Sequence, residues 1–124
     1  MIESRIIGLP WPPARLNPNA SKQGSWRAKS KAASSYKNAC LWEIKSQGVE
    51  HMRSGRVDVT VTFCPPSMRR YDLDNMLSRC KQGLDAVAEA IGVDDGRWDS
   101  MTLRRGEKLK GGRVILFVVA LNYA

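Results

Sequence analysis

Four aspartates in two short segments are the residues of this chain best suited to chemistry. Asp72 and Asp74 are separated by one residue in the stretch Arg-Arg-Tyr-Asp-Leu-Asp-Asn, which begins at Arg69, and Asp94 and Asp95 follow about twenty residues later. Carboxylates brought this close repel one another unless a cation neutralises them or water screens them. A divalent metal ion over a phosphate would account for both the acids and the arginines beside them.

These residue types match the needs of phosphodiester hydrolysis. That reaction needs a polarised phosphorus, an activated water and a stabilised leaving oxygen, and one or two Mg²⁺ ions held by carboxylates can supply all three. Asp72, Asp74 and Asp95 could form such a cage. Lys81 would then stabilise charge on the phosphate or help to orient the attacking water.

Structural roles explain the same acids without a metal. Asp72 is placed to cap a helix, Asp74 to complement the helix macrodipole, and Asp94-Asp95-Gly96 to form a solvated turn. Arg69 and Arg70 are equally suited to pairing with these carboxylates and to contacting DNA. The spacing alone leaves both explanations open.

A long amphipathic helix is predicted to carry Asp74 and Lys81. Apolar residues form one stripe at helical spacing from Leu73 to Ile91, and Gly92 is placed to end the helix. Asp74 and Lys81 are seven positions apart, so they fall nearly in line, separated by about 10 Å along the helix axis. Because helical side chains lean toward the N-terminus, Lys81 would extend its ammonium toward Asp74 or a phosphate bound there.

The remaining elements predict a small α+β protein with two main helices, in the order β-α-β-α-β-β. Strands are predicted at 5–9, 56–63, 98–108 and 114–121. The first helix is predicted at about 30–47, because Ala33, Tyr36, Cys40 and Ile44 form an apolar stripe at spacings of three and four. The last strand is continuously apolar, which predicts burial on both faces. The Gly111-Gly112 pair before it predicts a hairpin turn. A chain of 124 residues is most simply one domain, residues 1–124.

The net charge of the chain is unusual. It has 20 Lys and Arg against 12 Asp and Glu, giving +8 and a pI near 9.8. Such an excess commonly marks a partner with many phosphates, although ribosomal, membrane-surface and merely soluble proteins can also be basic. A long basic loop at about 14–29, which includes Trp26, suits either a DNA-contacting arm or a solvated loop. The candidate DNA-binding residues are Lys22, Arg27, Lys29, Lys31, Arg69 and Arg70.

The rest of the composition excludes several classes of protein. A chain that is 43% hydrophobic and 26% charged is typical of folded globular proteins and not of disordered ones. Cys40, Cys64 and Cys80 are widely spaced and His51 is the single histidine, so neither a structural zinc site nor a disulfide framework is expected. The longest apolar run, 114–121, is too short to span a bilayer. We expect a cytoplasmic protein with reduced thiols, without a signal peptide or membrane anchor.

Several segments together resemble the RusA family of Holliday junction resolvases, which are small bacterial and prophage-encoded endonucleases. The segments are Leu9-Pro10-Trp11-Pro12-Pro13, Arg70 followed by Asp72-Leu73-Asp74-Asn75, Lys81 four residues before Asp85-Ala86, and Val93-Asp94-Asp95, in that order. The resemblance runs over nearly the whole chain. It implies a RusA-like fold with a mixed β-sheet.

The resemblance also implies an activity and the residues that support it. It implies a homodimer that binds four-way DNA junctions and makes paired symmetric nicks in DNA recombination and repair, with Mg²⁺, for which Mn²⁺ can substitute. The family's essential aspartates match Asp72, Asp74 and Asp95, the implied metal ligands. The family's catalytic lysine usually lies nearer to the first aspartates. Ser78 occupies that nearer position here, and Lys81 stands about one turn later, on the same predicted helix face.

Two other functions remain open at this point. A non-catalytic branched-DNA-binding accessory protein would keep the fold and the charge but would not cut DNA. A less selective nuclease would cut flaps or RNA. Cleavage of a synthetic four-way junction, with and without divalent metal and with linear duplex as competitor, separates these functions from junction resolution.

Overall fold

A mixed β-sheet of four strands is the framework of the protein. In the computed structural model, which describes residues 2–18 and 26–121, the strands are β1 (Ser4–Pro10), β2 (Val57–Cys64), β3 (Trp98–Arg105) and β4 (Arg113–Ala120). The helices are α1 (Trp26–Ser46), α2 (Leu73–Arg79) and α3 (Lys81–Ile91), and single turns of 3-10 helix lie at Ala14–Leu16 and Asp95–Arg97. The α+β class and the predicted element order are confirmed, with the second helix divided in two.

The strands lie in the order β1-β4-β2-β3. β4 is antiparallel to both β1 and β2, whereas β2 and β3 are parallel and are connected through α2 and α3. Such a connection is expected because parallel neighbours need a crossover. The β2-α2-α3-β3 unit therefore places the entry to α2 just after one strand and the Asp95–Arg97 turn just before its neighbour.

The predicted hairpin between β3 and β4 is wrong, because β2 lies between them in the sheet. The connecting segment, 106–112, passes the end of β2, where the Gly106 amide donates to the Phe63 carbonyl at 2.8 Å. The two glycines close only a local turn, in which the Gly112 amide donates to the Leu109 carbonyl at 2.9 Å. A pair of glycines predicts a local turn but does not predict which strand lies next to β4 in the sheet.

The hydrophobic core lies on one face of the sheet. Alternate residues of β2, from Val57 to Phe63, are buried there against α1 and α3. The prediction that β4 is buried on both faces is wrong: Val114, Leu116 and Val118 are fully buried, whereas Phe117 is 44% exposed. The apolar residues of the opposite face, which we call the open face, are Ile6, Ile115, Phe117 and Val119.

Helix α1 begins four residues earlier than the periodicity predicts, so Trp26, Arg27 and Lys29 form its first turn and not the end of the loop. The predicted apolar stripe is otherwise confirmed, since Tyr36 is buried with the residues that follow it at helical spacing. The Tyr36 hydroxyl donates to the Pro10 carbonyl at 2.7 Å. This bond joins the middle of α1 to the end of β1.

The continuous helix predicted from Leu73 to Ile91 is wrong at Cys80, which separates α2 from α3 with φ −91° and ψ 4°. Each half is anchored differently. Arg79, at the end of α2, donates to the carbonyls of Pro12 and Pro13. In α3, Gly83 packs so closely that a Cβ atom there would lie 2.9 Å from Leu9 Cδ1. Apolar periodicity carries no information about these two distant contacts, which is why it predicts a single helix.

The three cysteines are buried and unbridged, as expected. Burial raises the pKa of the Cys40 thiol to about 11 and that of Cys80 to about 12, so both are protonated at neutral pH. Within residues 2–18 and 26–121, no helix is both long enough and apolar enough to cross a membrane.

Candidate active site

The Asp72–Asp74 pair lies where the chain enters α2. Asp72 is the N-cap residue, yet its side chain makes no capping hydrogen bond to the first turn. Asn75 contacts both acids: its backbone amide donates to Asp74 Oδ1 at 2.9 Å, and its side-chain Nδ2 donates to Asp72 Oδ2 at 3.3 Å. Both aspartates are exposed. Helix capping therefore does not account for the Asp72 carboxylate, while the N-terminus of α2 favours negative charge at both positions.

Arg79 fixes the other end of α2 to the proline-rich segment that follows β1. Its Nη2 donates to the Pro12 carbonyl at 2.6 Å and its Nε to the Pro13 carbonyl at 3.2 Å. Its guanidinium carbon lies 5.8 Å from the centre of the Trp11 ring. Burial lowers the pKa of Arg79. Sequence reasoning missed this positioning role, because α2 and the proline-rich segment are far apart in the chain.

Tyr71, the residue before Asp72, is held by a second arginine. The Arg105 guanidinium carbon lies 4.7 Å from the Tyr71 ring centre, and its Nη1 donates to the Tyr71 carbonyl at 2.9 Å. The Tyr71 ring meets Trp11 edge to face, with the ring centroids 6.4 Å apart. Two arginines and two aromatic rings thus fix the backbone that presents the Asp72–Asp74 pair.

Asp72 lines a cleft of about 350 Å³, which we call the Asp72 cleft. Its other lining residues are Asn17, Arg70, Tyr71, Asn75, Met76 and Arg79. Carboxylate, amide and guanidinium groups meet in this cleft. This combination suits a substrate that carries phosphate together with a cation.

Asp95 is the first residue of the 3-10 turn before β3. It lines a different cleft, of about 390 Å³, together with Asp94, Asp85, Glu89 and Lys37. The exposed oxygens of the three predicted metal ligands fit a divalent cation chemically. In the described parts of the chain, however, no three His, Cys, Asp or Glu side chains form a group that could hold a metal ion. In the isolated chain, Asp72 therefore lines one cleft and Asp95 lines another, while Asp74 lies in the first turn of α2.

Lys81 is the first residue of α3, and its side chain is 68% exposed. Its Nζ lies 3.8 Å from Asp85 Oδ2. The break at Cys80 removes the basis for the predicted alignment of Lys81 with Asp74 on one helix face. Lys81 and Ser78 instead line a common groove.

The predicted DNA-binding arginines next to the acids, Arg69 and Arg70, are both exposed. Among the described ion pairs, neither arginine is paired with an aspartate of the site. Their charge therefore faces solvent beside the Asp72–Asp74 pair, and Arg70 lines the Asp72 cleft.

Three other predicted DNA-binding residues, Arg27, Lys29 and Lys31, lie at the start of α1. Arg27 is exposed, with its guanidinium carbon 5.5 Å from the Trp26 ring centre. Lys29 is half-buried and Lys31 is exposed. Lys22 lies outside the described residues.

The chain is similar in sequence to known proteins along nearly its whole length. Residues 10–118 match the family described as Endodeoxyribonuclease RusA. The chain is 31% identical over 115 residues to a crossover junction endodeoxyribonuclease, RusA, of Enterobacteria phage HK97, with 92% of each chain covered. It is 34% identical over 121 residues to an uncharacterized protein of Xylella fastidiosa, covering 97% of this chain and 79% of that protein. The chain belongs to the RusA family of endodeoxyribonucleases.

Proposed function

We propose that the protein is a divalent-cation-dependent endonuclease that resolves four-way DNA junctions by paired symmetric nicks. The observation that carries this proposal is the exposed Asp72–Asp74 pair at the N-terminus of α2, in a member of a nuclease family. A net charge of +8 supports a polyanionic substrate, because basic side chains replace the counterions of the phosphate backbone. Arg69 and Arg70 place part of that charge next to the acids.

In this proposal Asp72, Asp74 and Asp95 hold Mg²⁺, for which Mn²⁺ can substitute. The bound cation supplies a polarised phosphoryl oxygen and a more acidic water. Asn75 keeps the first two carboxylates oriented through its two hydrogen bonds. Asp95 lines a separate cleft in the isolated chain, so we propose that the pair supplies the first ligands and Asp95 completes the set in the DNA complex. Lys81 assists by stabilising charge on the phosphate.

A homodimer suits this substrate, since a junction has near two-fold symmetry and two equivalent phosphodiesters to cut. The open face offers a surface for a second copy. Ile6 and Phe117 are paired in register across β1 and β4, and their side chains are 72% and 44% exposed. Contiguous exposed apolar residues on an otherwise polar protein commonly mark an interface. We therefore propose that the open faces of two chains pack together.

The proposed role is the processing of recombination and repair intermediates in the cytoplasm of a bacterial or phage-infected cell. The similarity to a protein of phage HK97 supports a phage or prophage context. The proposed substrate is branched DNA alone, without a small-molecule cofactor.

Asp74→Asn tests the proposed site. The variant should lose cleavage of a synthetic four-way junction in Mg²⁺ or Mn²⁺ yet bind the junction as tightly as the wild type or more tightly, because it removes site charge and leaves the basic surface intact. Asp99→Asn is the matched control, since it removes the same charge from β3, where Asp99 pairs with Arg56. It should cleave normally.

Four results would contradict parts of the proposal. If Asp74→Asn cleaves the junction at the wild-type rate, or if the wild-type protein cleaves it at an undiminished rate in chelator, the metal-site assignment is wrong. Tight junction binding by the wild-type protein without nicking in any divalent ion would favour a non-catalytic accessory protein. Equal competition by linear duplex DNA would favour a less selective nuclease.

A further inference from the structure

A second groove lies beside the candidate active site, between the first turns of α1 and the junction of α2 with α3. Its volume is about 380 Å³, within the range of pockets that hold small organic groups. Trp26 and Lys29 line it from α1, while Ser78 and Lys81 line it from the other side. Leu16, which is buried, contributes apolar surface. We call this the Trp26 groove.

Trp26 is unusually exposed for so large an apolar side chain, at 74%. Exposed aromatic rings beside basic residues recur where proteins bind single-stranded nucleic acid, because the flat ring stacks on any base. The Arg27 guanidinium lies near the Trp26 ring, at 5.5 Å from its centre. The described surroundings of Trp26 thus combine an aromatic face with positive charge.

The charge of the Trp26 groove differs from that of the cleft at Asp95. Its described lining holds two cations, Lys29 and Lys81, and no acid, whereas the cleft at Asp95 is lined by four acids and one lysine. A phosphate is therefore attracted to the Trp26 groove and repelled by the acidic cleft at Asp95. The apolar surface and the ring suit a base, and the lysines suit the phosphate attached to it.

We propose that the Trp26 groove binds one unstacked nucleotide of branched DNA, with its base on the Trp26 ring and its phosphate between Lys29 and Lys81. This inference rests on the proposed function and deepens it by naming a nucleotide subsite. Lys81 begins α3, two residues after the end of α2, and the Asp72–Asp74 pair lies at the opposite end of α2. A nucleotide held at Lys81 would therefore be about the length of one short helix from the proposed metal site. Trp26 is then a residue that selects branched over fully paired DNA.

The test measures the affinity of the full-length protein, in chelator, for a four-way junction, for an oligothymidylate and for a linear duplex. Trp26→Ala should weaken binding to the first two by about 5- to 150-fold, since stacking of one base contributes on the order of 1–3 kcal/mol. Trp26→Phe should recover most of that affinity. Binding to the linear duplex should change much less.

Trp42→Ala is the matched control. Trp42 lies on the same helix and is 71% exposed, so its replacement removes a similar ring without touching the groove. The control should bind all three DNAs as the wild type does. Circular dichroism of each variant establishes that α1 is intact, and quenching of tryptophan emission by oligothymidylate should be reduced in Trp26→Phe but not in Trp42→Ala.

The outcomes separate this inference from the proposed function. If the wild type nicks junctions and Trp26→Ala binds all three DNAs normally, the inference is wrong and the proposed function stands. If Trp26→Ala weakens duplex binding equally, the role of Trp26 is not base stacking and the inference is wrong. If the wild type neither nicks nor prefers junctions but Trp26 is needed for oligothymidylate binding, the nucleotide subsite at Trp26 stands, whereas the proposed function and the selection of branched DNA by Trp26 are wrong.

Discussion

Arg79 lies with its guanidinium carbon 5.8 Å from the centre of the Trp11 ring while it donates to the Pro12 carbonyl at 2.6 Å. This relationship joins the last residue of α2 to the segment that follows β1. A partly buried cation is costly unless its donors are paired, and here carbonyl oxygens and an aromatic face supply the partners. The helix that begins beside Asp72 is therefore held in place from its far end.

Replacing Arg79 by Lys should lower the free energy of unfolding by about 1–3 kcal/mol, because lysine keeps the charge but lacks the planar set of donors. Urea denaturation measures this change. Arg69→Lys is the matched control at an exposed position and should change the stability by less than about 0.5 kcal/mol. Junction cleavage should fall in Arg79→Lys as α2 loosens. Equal stability of the two variants would show that the Arg79 contacts do not hold α2.

Gly112 is predicted to be far less tolerant of a side chain than Gly111. Both have positive φ, 74° and 80°, so alanine at either position adds about 1–2 kcal/mol of backbone strain. A Cβ atom at Gly112 would also lie 2.7 Å from Trp11 Cγ, whereas one at Gly111 would meet nothing within 4 Å. Gly112→Ala should therefore cost roughly 1–3 kcal/mol more than Gly111→Ala.

Urea midpoints of the two alanine variants measure that difference, and the near-ultraviolet circular dichroism of Trp11 should change only in Gly112→Ala. A lower midpoint for Gly111→Ala would contradict the prediction. Since Trp11 also contacts Arg79 and Tyr71, junction cleavage is expected to fall in Gly112→Ala and to be retained in Gly111→Ala.

The sequence predicts local elements well and distant contacts poorly. The strand at β2, the stripe of α1 and the end of α3 at Gly92 follow from periodicity and glycine placement, and the structure confirms them. The break at Cys80 and the position of β4 inside the sheet depend on residues far apart in the chain. Arg79 was missed for the same reason: it is an ordinary polar residue on a helix until the fold brings Pro12 and Trp11 beside it.

The candidate site shows the same limit. Asp72 and Asp74 are close in sequence and lie together in the structure at the entry to α2. Asp95 lies at the other end of the β2-α2-α3-β3 crossover, just before β3, and it lines a separate cleft in the isolated chain. The binding of one cation by all three carboxylates stays a prediction. It concerns the DNA complex, because a bound phosphate and a bound cation both change the repulsion among the carboxylates.

Phe117→Lys should convert a dimer of this protein into monomers. Phe117 lies near the middle of the open face, opposite Ile6 on the neighbouring strand, and a charge there would be desolvated if two open faces pack together. Light scattering coupled to gel filtration measures the mass. Trp42→Lys is the control, since it places the same charge at an exposed aromatic position on α1 and should leave the mass unchanged.

In a junction-cleavage assay, monomers formed by Phe117→Lys should make single, uncoordinated nicks, because each monomer carries one Asp72–Asp74 pair. A wild-type protein that is monomeric at all concentrations would make the proposed homodimer wrong. A dimer that survives Phe117→Lys but dissociates in Trp42→Lys would move the interface from the open face to α1.

Lys81→Met is expected to slow junction cleavage by about 100-fold, the scale of losing one group that stabilises developing charge. Its only described ion pair, with Asp85 at 3.8 Å, is well exposed, and pairs of this kind contribute little to stability. The unfolding free energy should therefore stay within about 0.5 kcal/mol of wild type. Ser78→Ala tests the position nearer to Asp74 and should cleave much faster than Lys81→Met.

Single-turnover rates at saturating protein separate the two ways in which Lys81 can act. If Lys81 only holds a nucleotide in the Trp26 groove, Lys81→Met will raise the protein concentration needed for half-maximal rate and leave the maximal rate intact. If it also stabilises charge at the scissile phosphate, the maximal rate will fall. A normal maximal rate for Lys81→Met, with a large loss in Ser78→Ala, would place the functional position on α2 and make the Lys81 assignment wrong.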